Sequence, residues 1–349
     1  MKPKAAATGA VLAPNWLGDA VMSLPALLAL RRARPETAWT VLARAPVAPV
    51  FRLAQLGMEV VTLPPPRSLR LPPVRVEEVV ILPNSFHAAL LACRLGARRR
   101  IGYARDHRGF LLRPAVTPPE AGSLPGHESF YYLELLRRAG MLQSLPEESP
   151  ALRVALHPAP EAVERWRQRL GAAPVVALHI GATFGTAKRW LPERFAELAS
   201  GLASAGASVA LIGSGAEREL ARQVRMQTAH PEQLKNFAGE TTLEELVALL
   251  AACDLLVAND SGPMHLAGAV GTPVVAIFGS TNERETYPLA AAGALKLIKA
   301  PGVACSPCKL RDCPIDHRCM TRISVAEVRA AAEALLGLGG GGHGGNNGG

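Results

Sequence analysis

Aromatic residues make up only 5% of the 349 residues, and aspartate is scarcer still, with Asp19, Asp106, Asp254, Asp260, Asp312 and Asp316 the six in the chain. So few aromatics argue against a β-sandwich, and the abundance of Ala, Leu, Val and Arg suits helices packed on sheets. No two aspartates are separated by a single residue. The chain therefore lacks an Asp-x-Asp pair with which to hold a divalent metal on a diphosphate. It also lacks any uninterrupted apolar run of about 18 residues, and its first ten residues contain no apolar signal core followed by a small-residue cleavage site. The expectation is a cytoplasmic chain without a transmembrane segment. A Gly-x-Gly-x-x-Gly after the first strand is missing too, since Asn15 to Asp19 offers one glycine, which weighs against a dinucleotide oxidoreductase.

What is present points to two domains. The length exceeds what one core usually serves, at roughly 100 to 200 residues per domain. Strand candidates Ala10 to Leu12, Trp39 to Ala43, Val60 to Leu63 and Glu78 to Leu82 alternate with helical patterns. After a proline-rich stretch from Leu145 to Pro160, a helix at Glu161 to Leu170 leads into strands at Val175 to Ile180, Ser208 to Ile212, Asp254 to Ala258 and Val274 to Phe278. The reading is an α/β chain of two Rossmann-like, doubly wound domains, residues 1–155 and 156–336, with their strand ends expected at a shared cleft. Residues 337–349 are nearly all Gly and Asn, a composition expected to be disordered.

The formal net charge of +9 belongs to the first half: residues 1–155 hold 20 Lys plus Arg against 11 Asp plus Glu, and the remainder 18 against 18. Arg94, Arg98, Arg99, Arg100, Arg105, Arg108 and Arg113 concentrate it. Such a cluster suits phosphates on nucleic acid, anionic lipid or a phosphorylated sugar, or is simply a solvated face.

Three loops carry the chemistry. Pro14-Asn15-Trp16-Leu17-Gly18-Asp19 joins the first strand to a helix, and Asp19 is placed either to cap that helix or to take a proton from a hydroxyl. Gly181 to Trp190 follows a second-domain strand; Thr183 and Thr186 add hydroxyls, Lys188 adds a point charge, and the small residues expose backbone N–H groups, together an apt cradle for a diphosphate. Asn259-Asp260-Ser261-Gly262-Pro263-Met264-His265 ends a strand and starts a helix, whose N–H groups can bind an anion. There Asp260, Ser261 and His265 are placed to hold sugar or ribose hydroxyls, against the alternatives of a cap and a packed histidine. A fourth feature, Cys305-x2-Cys308-x4-Cys313-x5-Cys319 with Asp316 and His317 inside, has spacing compatible with zinc or an iron–sulfur centre, or with reduced thiols.

Pro14 to Ser23, Leu82-Pro83-Asn84-Ser85-Phe86, Gly185 to Trp190 and Asn259 to His265 together resemble glycosyltransferase family 9, the heptosyltransferases of lipopolysaccharide core assembly, from Ala10 to about Val328. The resemblance implies a GT-B fold and inverting, metal-independent transfer from ADP-heptose to a lipid A–inner-core acceptor already carrying one heptose. It implies no cofactor, no nucleic acid, and work at the cytoplasmic face of the inner membrane. Asp19 becomes the base and Lys188 the diphosphate stabiliser. Thr183, Thr186, Glu240, Asp260, Ser261, Gly262 and His265 become donor-binding, and Asn15, Trp16, Gly18, Arg98, Arg99, Arg100 and Arg105 acceptor-binding. Another family 9 transferase, one that adds the first heptose, and a phosphate- or nucleic-acid-binding module are the alternatives.

Overall fold

A computed structural model describes residues 8–65, 70–120, 122–146 and 152–338. The chain divides into two units, one of Met1–His157 with Arg284–Leu289, the other of Pro158–Glu283 with Ala290–Gly349. The tail expected to be disordered lies, from residue 339 onward, outside the described residues.

The first unit contains β1 (Thr8–Leu12), α1 (Leu17–Ala33), β2 (Ala38–Arg44), α2 (Ala48–Leu53), β3 (Glu59–Leu63), β4 (Glu78–Ile81), α3 (Phe86–Arg94), β5 (Arg99–Tyr103), β6 (Ala115–Val116) and α4 (Ser129–Arg138). Its six strands are parallel in the order β3-β2-β1-β4-β5-β6. Strands covered on both faces read as apolar runs, and β4 is buried at every position. Gly9 in β1 is required by packing, since a Cβ there would lie 2.5 Å from the Trp39 ring. Ser129 Oγ donates to the Met22 carbonyl at 2.8 Å, tying α4 to α1. Arg284–Leu289 closes the unit: the Glu128 N–H donates to Glu285 O at 2.9 Å, and His127 Nε2 lies 2.9 Å from Tyr287 O.

The second unit contains α5 (Pro160–Leu170), β7 (Val175–His179), α6 (Pro192–Ser204), β8 (Ser208–Ile212), α7 (Arg218–Gln227), β9 (Leu234–Asn236), α8 (Leu243–Ala251), β10 (Leu255–Asn259), α9 (Gly262–Val270), β11 (Val274–Phe278), β12 (Leu295–Lys299), α11 (Arg318–Thr321) and α12 (Val325–Leu336), while α10 (Glu283–Thr286) belongs, after its first residue, to the first unit. Its sheet repeats the pattern, parallel in the order β12-β11-β10-β7-β8-β9. β7, β10 and β11 are buried throughout, and Trp190, Phe195, Leu198 and Met320 fill the layer against them.

Strand order reverses between β1 and β4 in the first unit and between β7 and β10 in the second. Such switch points open a crevice beyond the carboxyl ends of the strands, where doubly wound sheets bind ligands. The four loops beside these two points are Ala13–Trp16, Leu82–Ser85, Ile180–Leu191 and Asp260–Ser261, and each carries one of the motifs singled out in the sequence.

Four strands escape the sequence reading, each for a physical reason. β5 opens with two arginines of the basic cluster, β6 and β9 are two and three residues long, and β12 alternates Leu-Lys-Leu-Ile-Lys as a lysine-bearing edge strand does.

Candidate active site

In the second unit, Lys188 and Asp260 meet across the switch point. Lys188 Nζ donates to Asp260 Oδ2 at 2.7 Å, and Thr281 Oγ1 donates to the same oxygen at 2.6 Å. Asp260 is 4% exposed. A carboxylate so buried needs a cation and a hydroxyl to compensate its lost hydration, and it has both. Lys188 sits at the end of a short 3₁₀ turn, Thr186–Lys188.

The loop carrying that turn is held at its two ends by one side chain. Fully buried Asn259 donates through Nδ2 to Ile180 O (3.0 Å) and Gly181 O (3.1 Å), and its Oδ1 accepts from the Trp190 N–H at 2.9 Å. Asn can do this because its amide offers donor and acceptor together. Asp260 and Ser261 are thereby registered against the lysine loop.

Behind the pair, Ser261 Oγ lies 2.9 Å from His179 Nδ1, and His179 Nε2 lies 3.7 Å from Glu217, which accepts from Ser214 N and Oγ. Burial pushes the Glu217 carboxyl up, but the His179 and Ser214 interactions outweigh it and hold it at about 2. Gly181 is obligatory here, because a Cβ would lie 1.4 Å from Glu217 Oε1. The relay ties together the loops after β7, β8 and β10. Sequence reading missed His179, Glu217 and Thr281; a histidine ending an otherwise apolar strand just before a Gly-containing loop is the signal that was available.

The other expected donor residues are distributed around this centre. Gly262 opens α9, with Ser261 at its N-cap position, and Thr183 is exposed on the lysine loop. Thr186 is engaged elsewhere, its hydroxyl donating to Asp312 at 2.6 Å. Glu240 follows β9 and pairs with Arg169 at 3.3 Å. His265 is only 3% exposed in α9, as a packed histidine is.

In the first unit, Asp19 is the third residue of α1, whose N-cap is Trp16. The reading of Asp19 as the N-cap is thereby corrected: Trp16 holds that position without a side-chain cap, and Asp19 is a first-turn acid favoured by the helix dipole. Tyr132 Oη, from α4, donates to Asp19 Oδ1 at 3.1 Å. Burial above all, and then Asp19 itself, push the Tyr132 hydroxyl well above its usual range, so it stays a donor. Asn15 and Trp16 are exposed on the same loop, Trp16 by 55%, with Gly18 beside them.

The arginines predicted for an acceptor divide. Arg105 follows the carboxyl end of β5 and lies 5.7 Å from the Tyr131 ring centroid, where Asn84 Nδ2 also meets Tyr131 Oη at 3.0 Å. Arg98, Arg99 and Arg100 instead sit at the amino end of β5, in register through Glu78 with Gly9, away from the loop that bears Asp19. Arg99 pairs with Glu78 at 3.3 Å, and Arg100 donates to Leu111 O and Ala97 O at 2.7 Å each. Arg108, also in the cluster, is wholly buried and donates to Tyr103 O, Pro83 O and Ser85 O, pinning the loop after β4. Part of the basic cluster is thus scaffold, because guanidinium groups are the long donors that can satisfy several loop carbonyls at once.

Among the described residues all six cysteines are free, and no group of three or more His, Cys, Asp or Glu side chains is arranged to hold a metal ion. Cys305 and Cys308 are exposed, while burial, then the neighbouring Cys308, Cys313 and Cys305, push the Cys319 thiol up to about 11. No helix among the described residues is long and apolar enough to cross a membrane.

Residues 70–318 match the model of glycosyltransferase family 9 (heptosyltransferase). The chain belongs to that family. It is 31% identical over 298 residues to lipopolysaccharide heptosyltransferase 2 of Escherichia coli strain K12, covering 80% of this chain and 84% of that protein. It is 28% identical over 308 residues to lipooligosaccharide heptosyltransferase 2 of Haemophilus influenzae, covering 80% and 85%. The solved structure of E. coli ADP-heptose LPS heptosyltransferase II is similar with a TM-score of 0.77 and 27% identity, over 95% of this chain and 99% of that one. Family 9 membership makes the chain a glycosyltransferase of the GT-B class, with the two Rossmann-like sheets described above. Three of the four motifs of the sequence, those beginning at Leu82, Gly185 and Asn259, lie within the matched residues, and all four flank the two switch points described above.

Proposed function

We propose that this family 9 enzyme transfers L-glycero-D-manno-heptose from ADP-heptose to the first heptose of the lipopolysaccharide inner core, with inversion and without a metal. The observation that carries the reading is the Lys188–Asp260 pair at the β7/β10 switch point. An ammonium beside a helix start suits a leaving diphosphate, and the similarity to proteins named heptosyltransferase 2 supplies the sugar.

The reaction is a single displacement. Asp19, oriented by Tyr132, takes the proton of the acceptor hydroxyl, whose oxygen attacks the anomeric carbon as the bond to ADP breaks. The negative charge that grows on the leaving ADP is met by Lys188 and the N–H groups that open α9, with Thr183, Glu240, Asp260, Ser261 and Gly262 around the donor. The missing Asp-x-Asp pair is consistent with this assignment. Asn15, Trp16, Gly18 and Arg105 are assigned to the acceptor. Exposed Trp16 and the basic excess of residues 1–155 suit an anionic glycolipid at the cytoplasmic face of the inner membrane.

Incubation with ADP-heptose, with chelator present, and with defined acceptors bearing no heptose or one tests the reading by product mass. Addition of one heptose to the monoheptosylated acceptor is expected. Transfer only to the acceptor without heptose refutes the assignment to the second transfer.

A further inference from the structure

The cysteine-bearing loop between β12 and α11 takes no part in the chemistry above, yet it is bonded to the lysine loop along its length. Thr186 donates to Asp312 Oδ1 twice, through Oγ1 at 2.6 Å and through its N–H at 3.4 Å. The next residue is held on both sides: the Ala187 N–H donates to Arg311 O at 2.9 Å, and His317 Nε2 lies 3.0 Å from Ala187 O. Arg311 Nε reaches Phe184 O at 2.8 Å. The Phe184 ring lies under two cations, Arg311 at 5.6 Å and Lys188 Nζ at 5.1 Å. Contact is so close at Gly185 that a Cβ would fall 2.1 Å from Arg311 O.

The same loop is anchored to the other flank of the site. Ser306 Oγ donates to Gly279 O at 2.6 Å, and the Lys309 N–H donates to Ser280 O at 2.7 Å. These carbonyls immediately precede Thr281, the second donor to Asp260. Lys309 and His317 both adopt left-handed backbone, at φ 58° and 55°. Non-glycine residues hold that conformation at a cost, and here each does so where the loop makes one of its bonds to the site.

We infer that the loop Cys305–Cys319 is a brace that sets the Thr186–Lys188 turn, with Asp312 and His317 as positioning residues for Lys188. The inference rests on the reading that Lys188 holds the donor diphosphate. The hydroxyl proton of Thr186 is accordingly committed to Asp312 and not to the donor. Loss of the Asp312 bonds leaves Lys188 present and paired with Asp260 but on an unbraced turn, so donor affinity and the stabilisation of the leaving diphosphate both weaken.

The test uses the full chain, with ADP binding measured by calorimetry and initial rates measured with ADP-heptose. Loss of one or two hydrogen bonds to a carboxylate predicts a rise of about fivefold to thirtyfold in ADP Kd and donor KM for Asp312→Ala and Thr186→Val. Turnover at saturating donor should fall as well, because Lys188 also meets the charge that grows on the leaving ADP, but by less than Lys188→Ala lowers it. Asp312→Asn and Thr186→Ser, which keep an acceptor and a hydroxyl, should recover most of the affinity. The double variant Thr186→Val/Asp312→Ala should be no weaker than the worse single variant, since both remove one link. Unchanged ADP affinity in both single variants, while Lys188→Ala loses it, overturns the brace alone. Unchanged ADP affinity in Lys188→Ala overturns both the brace and the assignment of Lys188 to the diphosphate.

Discussion

Replacing Lys188 with Met removes the charge and keeps most of the side-chain volume, leaving Asp260 with one partner. Its carboxylate is 4% exposed, and of the donors to Oδ2 only the Thr281 hydroxyl, at 2.6 Å, remains. Removing one member of a buried ion pair costs about 3–5 kcal/mol. The retained hydroxyl and the 15% exposure of the Lys188 side chain put the expectation nearer 2–3 kcal/mol, roughly 4–12 °C in the midpoint of a domain this size. Neutralising the stranded acid should reverse most of that loss, so Lys188→Met/Asp260→Asn should unfold close to the parent, with a coupling of about 2 kcal/mol between the two sites. ADP separates stability from function. Loss of a charge-assisted contact with the diphosphate is worth about 1.5–3 kcal/mol, or roughly 10- to 150-fold in Kd, and the neutral double variant cannot restore it. Thermal unfolding with and without ADP reads both quantities in one experiment, because a ligand that binds only the folded state raises the midpoint. A midpoint within about 2 °C of the parent together with an undiminished ADP shift would show that Lys188 neither compensates Asp260 nor meets the diphosphate.

Four further outcomes follow from the same geometry. Asp19→Ala should lower turnover by about 10²- to 10⁴-fold with ADP affinity within about twofold; initial rates and calorimetry check it, and unchanged turnover removes Asp19 from the reaction. Gly181→Ala should lower the unfolding midpoint by several degrees, because the new Cβ would displace Glu217 from His179 and Ser214. Glu217, held at about 2 against about 4.3 unfolded, binds its proton first in the unfolded chain, so it contributes stability above about pH 5 that is lost as the pH falls toward 2. Denaturant titrations should show parent and Glu217→Gln converging by at most about 2 kcal/mol between pH 6 and 3, and parallel curves would refute the assignment. Arg100→Ala should destabilise the first unit by about 1–3 kcal/mol through the stranded Leu111 and Ala97 carbonyls, while the acceptor KM measured in rate assays stays unchanged.

What was legible in the sequence is what has a local signature. Strands buried on both faces are apolar runs, so β8 and β11 were read with their observed limits. A loop that approaches a ligand needs glycine, Asx residues or a helix start, and such tokens marked three of the four segments at the two switch points; the fourth, Leu82 to Phe86, was marked only by its resemblance to family 9. The partners that give those segments their geometry have no such signature. Tyr132 lies 113 residues from the Asp19 it orients, and Asp312 lies 126 residues from Thr186. A tyrosine on a helix and an aspartate in a cysteine-rich loop look the same in sequence whether or not the fold delivers them to a site. The arginines show the converse. Clustered in sequence between 94 and 113, they are separated by the parallel register of β5, which puts Arg98–Arg100 at one end of the sheet and Arg105 at the other. Proximity along the chain therefore overstated what the basic cluster shares. The supports of these two loops, the Tyr132 hydroxyl in the first unit and the Asp312 carboxylate in the second, were hidden because the chain returns to each loop only after more than a hundred residues.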